Sequence, residues 1–203
     1  MKKGLIIVIS GPAGSGKGTV VKALREKMPT LGISVSATTR SPRPGEVEGV
    51  HYYFITKEEF ERRIASGEIL EHTYYCDNYY GTPKSELERI TAEGKDIIFE
   101  IEVNGAIQIK KLFPEAVAIM LLPPSAKLLE SRLRGRGTET EEIIRRRLLR
   151  ARDELKLLHH YDYLVVNGEN MVDDCVELIR DIINSEHSRT SRMTDFAENF
   201  FED

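Results

Sequence analysis

Residues 5–19 decide the fold of this chain: Leu-Ile-Ile-Val-Ile-Ser-Gly-Pro-Ala-Gly-Ser-Gly-Lys-Gly-Thr. The apolar run predicts a buried strand, the glycines predict a tight loop, and the periodicity after Lys17 predicts a helix. Strand, glycine-rich loop, lysine and helix form the setting of a phosphate-binding loop, or P-loop. Its amide N–H groups and the helix N-terminus attract anions. We therefore expect Lys17 to reach the outer phosphates of a nucleotide held by Gly11, Pro12, Ala13, Gly14, Ser15, Gly16, Lys17, Gly18 and Thr19.

One position of this loop departs from the strict pattern. Gly18 stands where Ser or Thr normally follows the lysine, and Thr19 comes one residue later. The sequence leaves open whether Thr19 ligates Mg²⁺ directly or a water molecule intervenes.

The rest of the chain alternates short apolar runs with helical periodicity. Residues 97–101, 117–122 and 163–166 have the composition of strands covered on both faces. The stretches between them have helical spacing, with apolar residues on one face around 20–28, 144–158 and 172–183. This order predicts an α/β fold with a largely parallel sheet.

Two regions interrupt the alternation, and the tail differs again. Residues 34–82 are rich in Ser, Thr, Pro, Gly and Tyr, which predicts a small inserted subdomain. Residues 125–160 are helical and rich in arginine. The polar tail, 185–203, is expected to be peripheral or mobile.

Composition excludes several classes of protein. A chain of 203 residues with 40% apolar residues predicts one globular domain, 1–203, and no stretch approaches the ~20 apolar residues of a membrane span. The net charge of −4 argues against a nucleic-acid-binding protein. Cys76 and Cys175 lie far apart and predict reduced thiols in a cytoplasmic protein. The absence of Asn-Lys-x-Asp and Asp-x-x-Gly argues against a GTPase switch.

Further motifs along the chain resemble those of one family, the guanylate kinases. They include Ser-Ala-Thr-Thr-Arg-Ser-Pro-Arg-Pro-Gly-Glu (36–46), Asn-Tyr-Tyr-Gly-Thr (78–82), Glu-Ile-Glu-Val-Asn-Gly (100–105) and Arg-Gly-Arg-Gly-Thr-Glu-Thr-Glu-Glu (134–142). The resemblance implies a P-loop NTPase-like three-layer fold, in which 34–82 binds GMP and 125–160 is a lid over ATP. It implies a kinase that phosphorylates GMP, and plausibly dGMP, with ATP and Mg²⁺. The oligomeric state stays open.

The resemblance also implies roles for single residues. Ser36, Arg40, Arg43, Tyr52 and Tyr80 would hold GMP, mostly by its phosphate, and Glu71, Thr82 and Glu102 would recognise guanine. Lys17, Arg43, Arg136 and Arg147 would act on the transferring phosphate. Asn167 would lie near adenine, and Thr19 and Glu100 near the metal. The chain departs from the family where Glu100 and Glu102 replace a more frequent Asp, and Asn104 a Gln.

The chemistry of these residues suits the implied reaction. Guanine presents N1–H and N2–H₂ as adjacent donors, which a carboxylate accepts, whereas adenine has an acceptor at N1. Arginines stabilise the charge that develops during phosphoryl transfer. We expect Arg145 and Arg146 to be solvated, and we expect Tyr53, Tyr74, Tyr75 and Tyr79 to pack rather than bind.

Two other interpretations remain open at this point. One is a nucleoside monophosphate kinase that accepts adenine or a pyrimidine. The other is a guanylate-kinase-like interaction module without activity, which Lys17 and the lid arginines argue against because such modules tend to lack those residues.

Overall fold

The central sheet has five strands, all parallel. This computed structural model describes residues 4–75, 77–135, 137, 140–193, 196, 199 and 200. In spatial order the strands are β2 (Gly32–Ile33), β7 (Ile97–Glu100), β1 (Ile6–Ser10), β8 (Val117–Leu122) and β9 (Tyr163–Val166). Three of the predicted runs therefore form neighbouring strands around β1, which leads into the P-loop.

Helices cover the two faces of this sheet. The helices α1 (Lys17–Lys27) and α7 (Val172–His187) pack on one face, against alternate residues of β1 and β8. The helices α3 (Lys84–Ala92) and α4 (Val103–Leu112) pack on the other face, where Phe99 lies in the core. The expected three-layer α/β fold is confirmed. Among the described helices, none is both long and apolar enough to cross a bilayer.

A second, smaller sheet lies between β2 and α3 in sequence. Its spatial order is β4 (Tyr53–Phe54), β3 (Ala37–Thr38), β6 (Asn78–Pro83) and β5 (Ile69–Tyr75), with α2 (Lys57–Ala65) beside it. Ala37, Phe60 and Ile69 form its own small core, and Phe60 stacks on Tyr79 at 5.1 Å between ring centroids. These elements fall almost entirely within the segment 34–82.

Two further helices carry the arginine-rich segment. The helices α5 (Ala126–Gly135) and α6 (Glu141–Leu155) pack on each other through Leu129, Leu133, Ile144 and Ala151. Ala13 of the P-loop packs against the same cluster. The arginine-rich segment is thereby in direct contact with the phosphate-binding loop.

Two details differ from the sequence-based expectation. The outer strand β9 leaves Leu164 and Val166 each 44% exposed, because it is the last strand of its sheet and only its other face, with Tyr163 and Val165, packs toward α7. The expectation that all strands are covered on both faces is wrong for β9. The predicted helix through residue 158 ends instead at Leu155, and a 3₁₀ turn follows at Leu158–His160.

The beginning of the tail is held to the body of the protein. Helix α7 extends to His187, and the buried Glu186 accepts hydrogen bonds from the Tyr163 hydroxyl at 2.7 Å and from Arg192 Nη2 at 2.9 Å. Arg192 also donates to the Glu115 carbonyl oxygen at 2.7 Å. The start of the segment 185–203 is therefore attached to the body of the protein through Glu186 and Arg192.

Candidate active site

A cavity of about 450 Å³ lies between the P-loop and the smaller sheet. The carboxyl ends of β1 and β7 open onto it, the position where parallel α/β sheets commonly bind ligands. Its lining residues are Ala13, Gly14, Gly16, Lys17, Gly18, Thr19, Ser36, Tyr52, Glu71, Thr73, Tyr75, Tyr80, Gly81, Glu100, Ile101 and Glu102. Residues predicted for the nucleotide donor and for the acceptor thus share one cavity.

The P-loop is curled by its glycines. Gly16, the N-cap of α1, has φ of 93°, a left-handed conformation that a side chain would strain. The Lys17 Nζ donates to the carbonyl oxygens of Gly11 at 2.6 Å and Pro12 at 3.3 Å, so the ammonium group lies across the mouth of the loop. The arrangement can receive an anion between the lysine and the start of α1.

Two side chains brace this loop from behind. The amide Nδ2 of Asn167 donates to the Ser15 carbonyl oxygen at 2.9 Å, and Arg132 Nη1 donates to the same oxygen at 3.3 Å. Arg132 also donates to the Gly168 carbonyl oxygen at 2.8 Å. Asn167 and Arg132 line a second cavity of about 330 Å³ together with Gly14, Gly16, Thr19, Gly168, Asn170 and Val172. Asn167 is predicted to lie near adenine; its side chain lines this second cavity, and the adenine role stays a prediction.

Glu71 is a buried acid in the wall of the main cavity. Its Oε1 accepts a hydrogen bond from the Thr82 hydroxyl at 2.7 Å, and Thr82 is itself fully buried. Burial raises the pKa of Glu71 to about 7, and the negative charge of Glu102 adds to the rise. A Cβ at Gly105 would lie 2.3 Å from Glu71 Oε2, so any residue other than glycine would displace the carboxyl group.

Glu100 lies near the start of α1. Burial raises the pKa of its carboxyl group, while the positive charge of Lys17 opposes that rise. Its Oε1 lies 3.5 Å from the position that a Cβ of Gly18 would occupy. The hydroxyl-bearing Thr19 lines the same cavity. A hydroxyl and a carboxylate at one cavity suit Mg²⁺, which takes few protein ligands and keeps water and phosphate oxygens.

The predicted phosphate-binding residues of the acceptor are only partly brought together. Ser36, Tyr52 and Tyr80 line the cavity. Arg40 instead makes a paired contact with Glu46, with both nitrogen–oxygen distances 2.6 Å, and its guanidinium lies 5.0 Å from the centroid of the Tyr52 ring. Arg43 is exposed and lies outside the lining, as does Thr82, which contacts the cavity through Glu71.

The arginines of the segment 125–160 lie in different surroundings. Arg147 lines a narrow slot of about 60 Å³ between α6 and the P-loop, whereas Arg145 and Arg146 are exposed, as expected. Arg136 lies outside the described residues.

The sequence interpretation missed several residues of the site. Thr73 and Tyr75 line the cavity because alternate residues of β5 share the face of Glu71. Tyr75 is expected to pack rather than bind; it lies at the cavity wall, and its role stays a prediction. Arg150 and Glu154 join Arg147 at the slot, and their spacing of three and four residues along α6 was the available signal. Arg132, on α5, gave no comparable signal.

Comparison with known proteins identifies the family. The model of the guanylate kinase family matches residues 3–186. The chain belongs to the guanylate kinase family. Guanylate kinases from Halalkalibacterium halodurans and Clostridioides difficile are 50% and 48% identical over 192 residues each, which is 95% of this chain and 93% of either relative. The resemblance stated from the motifs is confirmed.

A solved structure agrees with this assignment. The guanylate kinase of Anaplasma phagocytophilum has a TM-score of 0.75 and 33% identity, covering 95% of this chain and 90% of its own. The SH3-kinase fragment of tight junction protein 3, at 13% identity and a TM-score of 0.51, shows only that the fold is shared. The chain is thus a nucleotide-binding kinase of the guanylate kinase family, an enzyme rather than an interaction module.

Proposed function

We propose that this guanylate kinase transfers the terminal phosphoryl group of ATP to GMP, giving ADP and GDP. The observation that carries the proposal is the buried Glu71 carboxyl group at the acceptor end of a cavity whose other end is the P-loop. A carboxylate at that place accepts the N1–H and N2–H₂ donors of guanine and repels the N1 lone pair of adenine. Glu102 and the Thr82 hydroxyl complete the recognition of the base.

The P-loop residues and Lys17 hold the ATP phosphates, and Asn167 lies toward the adenine side. Ser36, Tyr52, Tyr80, Arg40 and Arg43 bind the GMP phosphate, which requires Arg40 to give up part of its contact with Glu46. We assign stabilisation of the transferring phosphoryl group to Lys17, Arg43, Arg136 and Arg147. The segment 125–160 acts as the lid that brings the last two arginines to the phosphates, and 34–82 acts as the acceptor-binding subdomain.

No general base is required for this reaction. The attacking atom is a phosphate oxygen whose second pKa is near 6, so it is already anionic at neutral pH. The chain's task is to align donor and acceptor, to neutralise their charge and to exclude water. Thr19 and Glu100 would hold Mg²⁺, directly or through water, and the ion would supply positive charge that neutralises the phosphates.

The proposal includes dGMP as a second acceptor. The residues assigned to the acceptor contact its base and its phosphate, and none is assigned to the 2′-hydroxyl group. Loss of that hydroxyl should therefore cost little binding free energy.

An acceptor panel tests the proposal. ADP formation is measured with GMP, dGMP, AMP, UMP and dTMP, with and without Mg²⁺. We expect GMP to be the best acceptor by at least about a hundredfold over AMP, because a buried carboxyl group left opposite an acceptor atom is costly. AMP as the preferred acceptor would overturn the guanine assignment, and no ADP formation with GMP would overturn the reaction itself.

A further inference from the structure

Arg150 links α6, the helix of the proposed lid, to Glu102, one of the carboxylates that we assign to guanine. Its Nη2 donates to Glu102 Oε2, and its Nε donates to Glu154 Oε1 at 2.9 Å. The guanidinium carbon also lies 5.4 Å from the centroid of the Tyr75 ring, within the range of a cation–π contact. One side chain of α6 therefore touches the N-terminus of α4, the strand β5 and its own helix.

Arg150 lies where three parts of the protein meet. The slot beside it is lined by Gly11, Ala13, Tyr75, Glu102, Arg147 and Glu154, so the P-loop, the smaller sheet and the lid meet there. The Glu154 side chain is only 12% exposed, and those of Arg150 and Glu102 are 35% and 40% exposed. Glu154 is therefore well shielded from water, whereas the Arg150–Glu102 pair keeps partial solvent access and is distinguished by its place at the cavity wall.

Glu102 needs an external partner to fix its carboxylate. It is the N-cap residue of α4, yet its side chain makes no capping hydrogen bond. Its carbonyl oxygen accepts from Ala106 N at 3.0 Å, so the backbone is fixed while the side chain extends toward α6. The position of the carboxylate within the cavity thus depends on Arg150.

We propose that Arg150 is a positioning residue for the acceptor base: it holds the Glu102 carboxylate at the cavity wall, so that recognition of guanine depends on the lid helix. This inference rests on the proposed function and deepens it. Arg150 does not touch the reacting atoms. It acts through Glu102, and it also offsets the repulsion between Glu102 and Glu154, two carboxylates on either side of it.

The test is a double-mutant cycle with steady-state kinetics. Arg150→Met removes the charge and the donors while keeping apolar volume, and it is made in the wild-type enzyme and in Glu102→Gln. We expect KM for GMP to rise about tenfold in Arg150→Met, with KM for ATP changed less than twofold, because a charge-assisted hydrogen bond is lost on the acceptor side only. In the Glu102→Gln background the same substitution should add less than twofold.

Two further variants separate positioning from a structural role. Arg150→Lys keeps a positive donor and should restore most of the KM for GMP, whereas Arg146→Met, at an exposed position of the same helix, should leave both KM values unchanged. If Arg150→Met lowers the melting temperature, the same KM measurements are made with Arg150→Gln, which removes the charge but keeps a polar side chain.

The outcomes are distinguishable. Full additivity of the two substitutions, or an equal loss toward ATP and GMP, would overturn the inference while the enzyme still phosphorylates GMP. A wild-type enzyme that does not phosphorylate GMP would overturn the proposed function, and this inference with it.

Discussion

The two ends of the cavity are built from different parts of the polypeptide. The end that we assign to the donor is made chiefly of backbone: curled glycines, a helix N-terminus and one lysine that donates to two carbonyl oxygens. The acceptor end is made of side chains that extend from β5, β6 and the start of α4, and its main acid is buried. The backbone conformation of a loop is determined mainly by residues that are neighbours in sequence. The pKa and orientation of a buried acid depend instead on residues that are distant in sequence.

The largest effect should come from the donor end. Lys17→Ala removes the cation over the P-loop, and we expect kcat/KM to fall about a thousandfold because phosphate charge is then poorly neutralised. Steady-state kinetics with GMP and ATP measure this. Lys22→Ala, at an exposed position of the same helix, is the matched control and should behave as wild type. Near-normal turnover in Lys17→Ala would remove the lysine from its assigned role.

At the acceptor end, Glu71→Gln should separate activity from stability. The amide cannot accept both guanine donors in the way a carboxylate does, so we expect kcat/KM for GMP to fall about a hundredfold.

The same substitution should change stability. Because the pKa of Glu71 is higher in the folded than in the unfolded protein, the free energy of unfolding of the wild type falls as pH rises from about 4.5 through 7. The free energy of unfolding at pH 8 should therefore increase by about 1–3 kcal/mol in the variant.

Chemical denaturation at pH 5 and pH 8 measures that second effect. The gain should be present at pH 8 and small at pH 5, where the native carboxyl group is protonated. A variant that is less stable than wild type at pH 8 would show that the protein stabilises the ionised Glu71 carboxylate, which would contradict the raised pKa.

A smaller effect should follow from Thr82→Val, which keeps the shape of the side chain and deletes the donor to Glu71. We expect KM for GMP to rise about fivefold, because one hydrogen bond that orients the acid is lost. Thr91→Val, which deletes a hydroxyl that donates to Leu87 O on α3, is the control and should leave KM unchanged. Equal effects of the two variants would mean that the Thr82 hydroxyl has no special relation to the base.

The smallest effect is a pH dependence. Glu71 is protonated below a pKa of about 7, so KM for GMP should fall severalfold as pH rises from 6 to 8, since the carboxylate is the better acceptor. The GMP phosphate also titrates near pH 6. Glu71→Gln reports that contribution alone, and a pH profile of KM identical in the two enzymes would contradict the assignment.

The contrast between the two ends also explains what the sequence could predict. The P-loop and the strands β8 and β9 were placed within a residue, because glycine spacing and apolar runs are local signals. The exposed face of β9 was missed because edge position depends on strand order, which no local pattern encodes. The sequence did not predict the pairing of Arg40 with Glu46 or the contact of Arg150 with Glu102. The partner of a charged side chain depends on the folded arrangement, which a local pattern does not encode.

The fit between Glu71 and Gly105 carries a consequence for how such chains change over time. One oxygen of the acid occupies the space where any residue other than glycine at position 105 would place its first side-chain carbon. A substitution at position 105 would thus displace the Glu71 carboxyl group from its present place. Across related sequences, the two positions should covary, so that the identity of the accepted base is inherited as a pair rather than as a single residue.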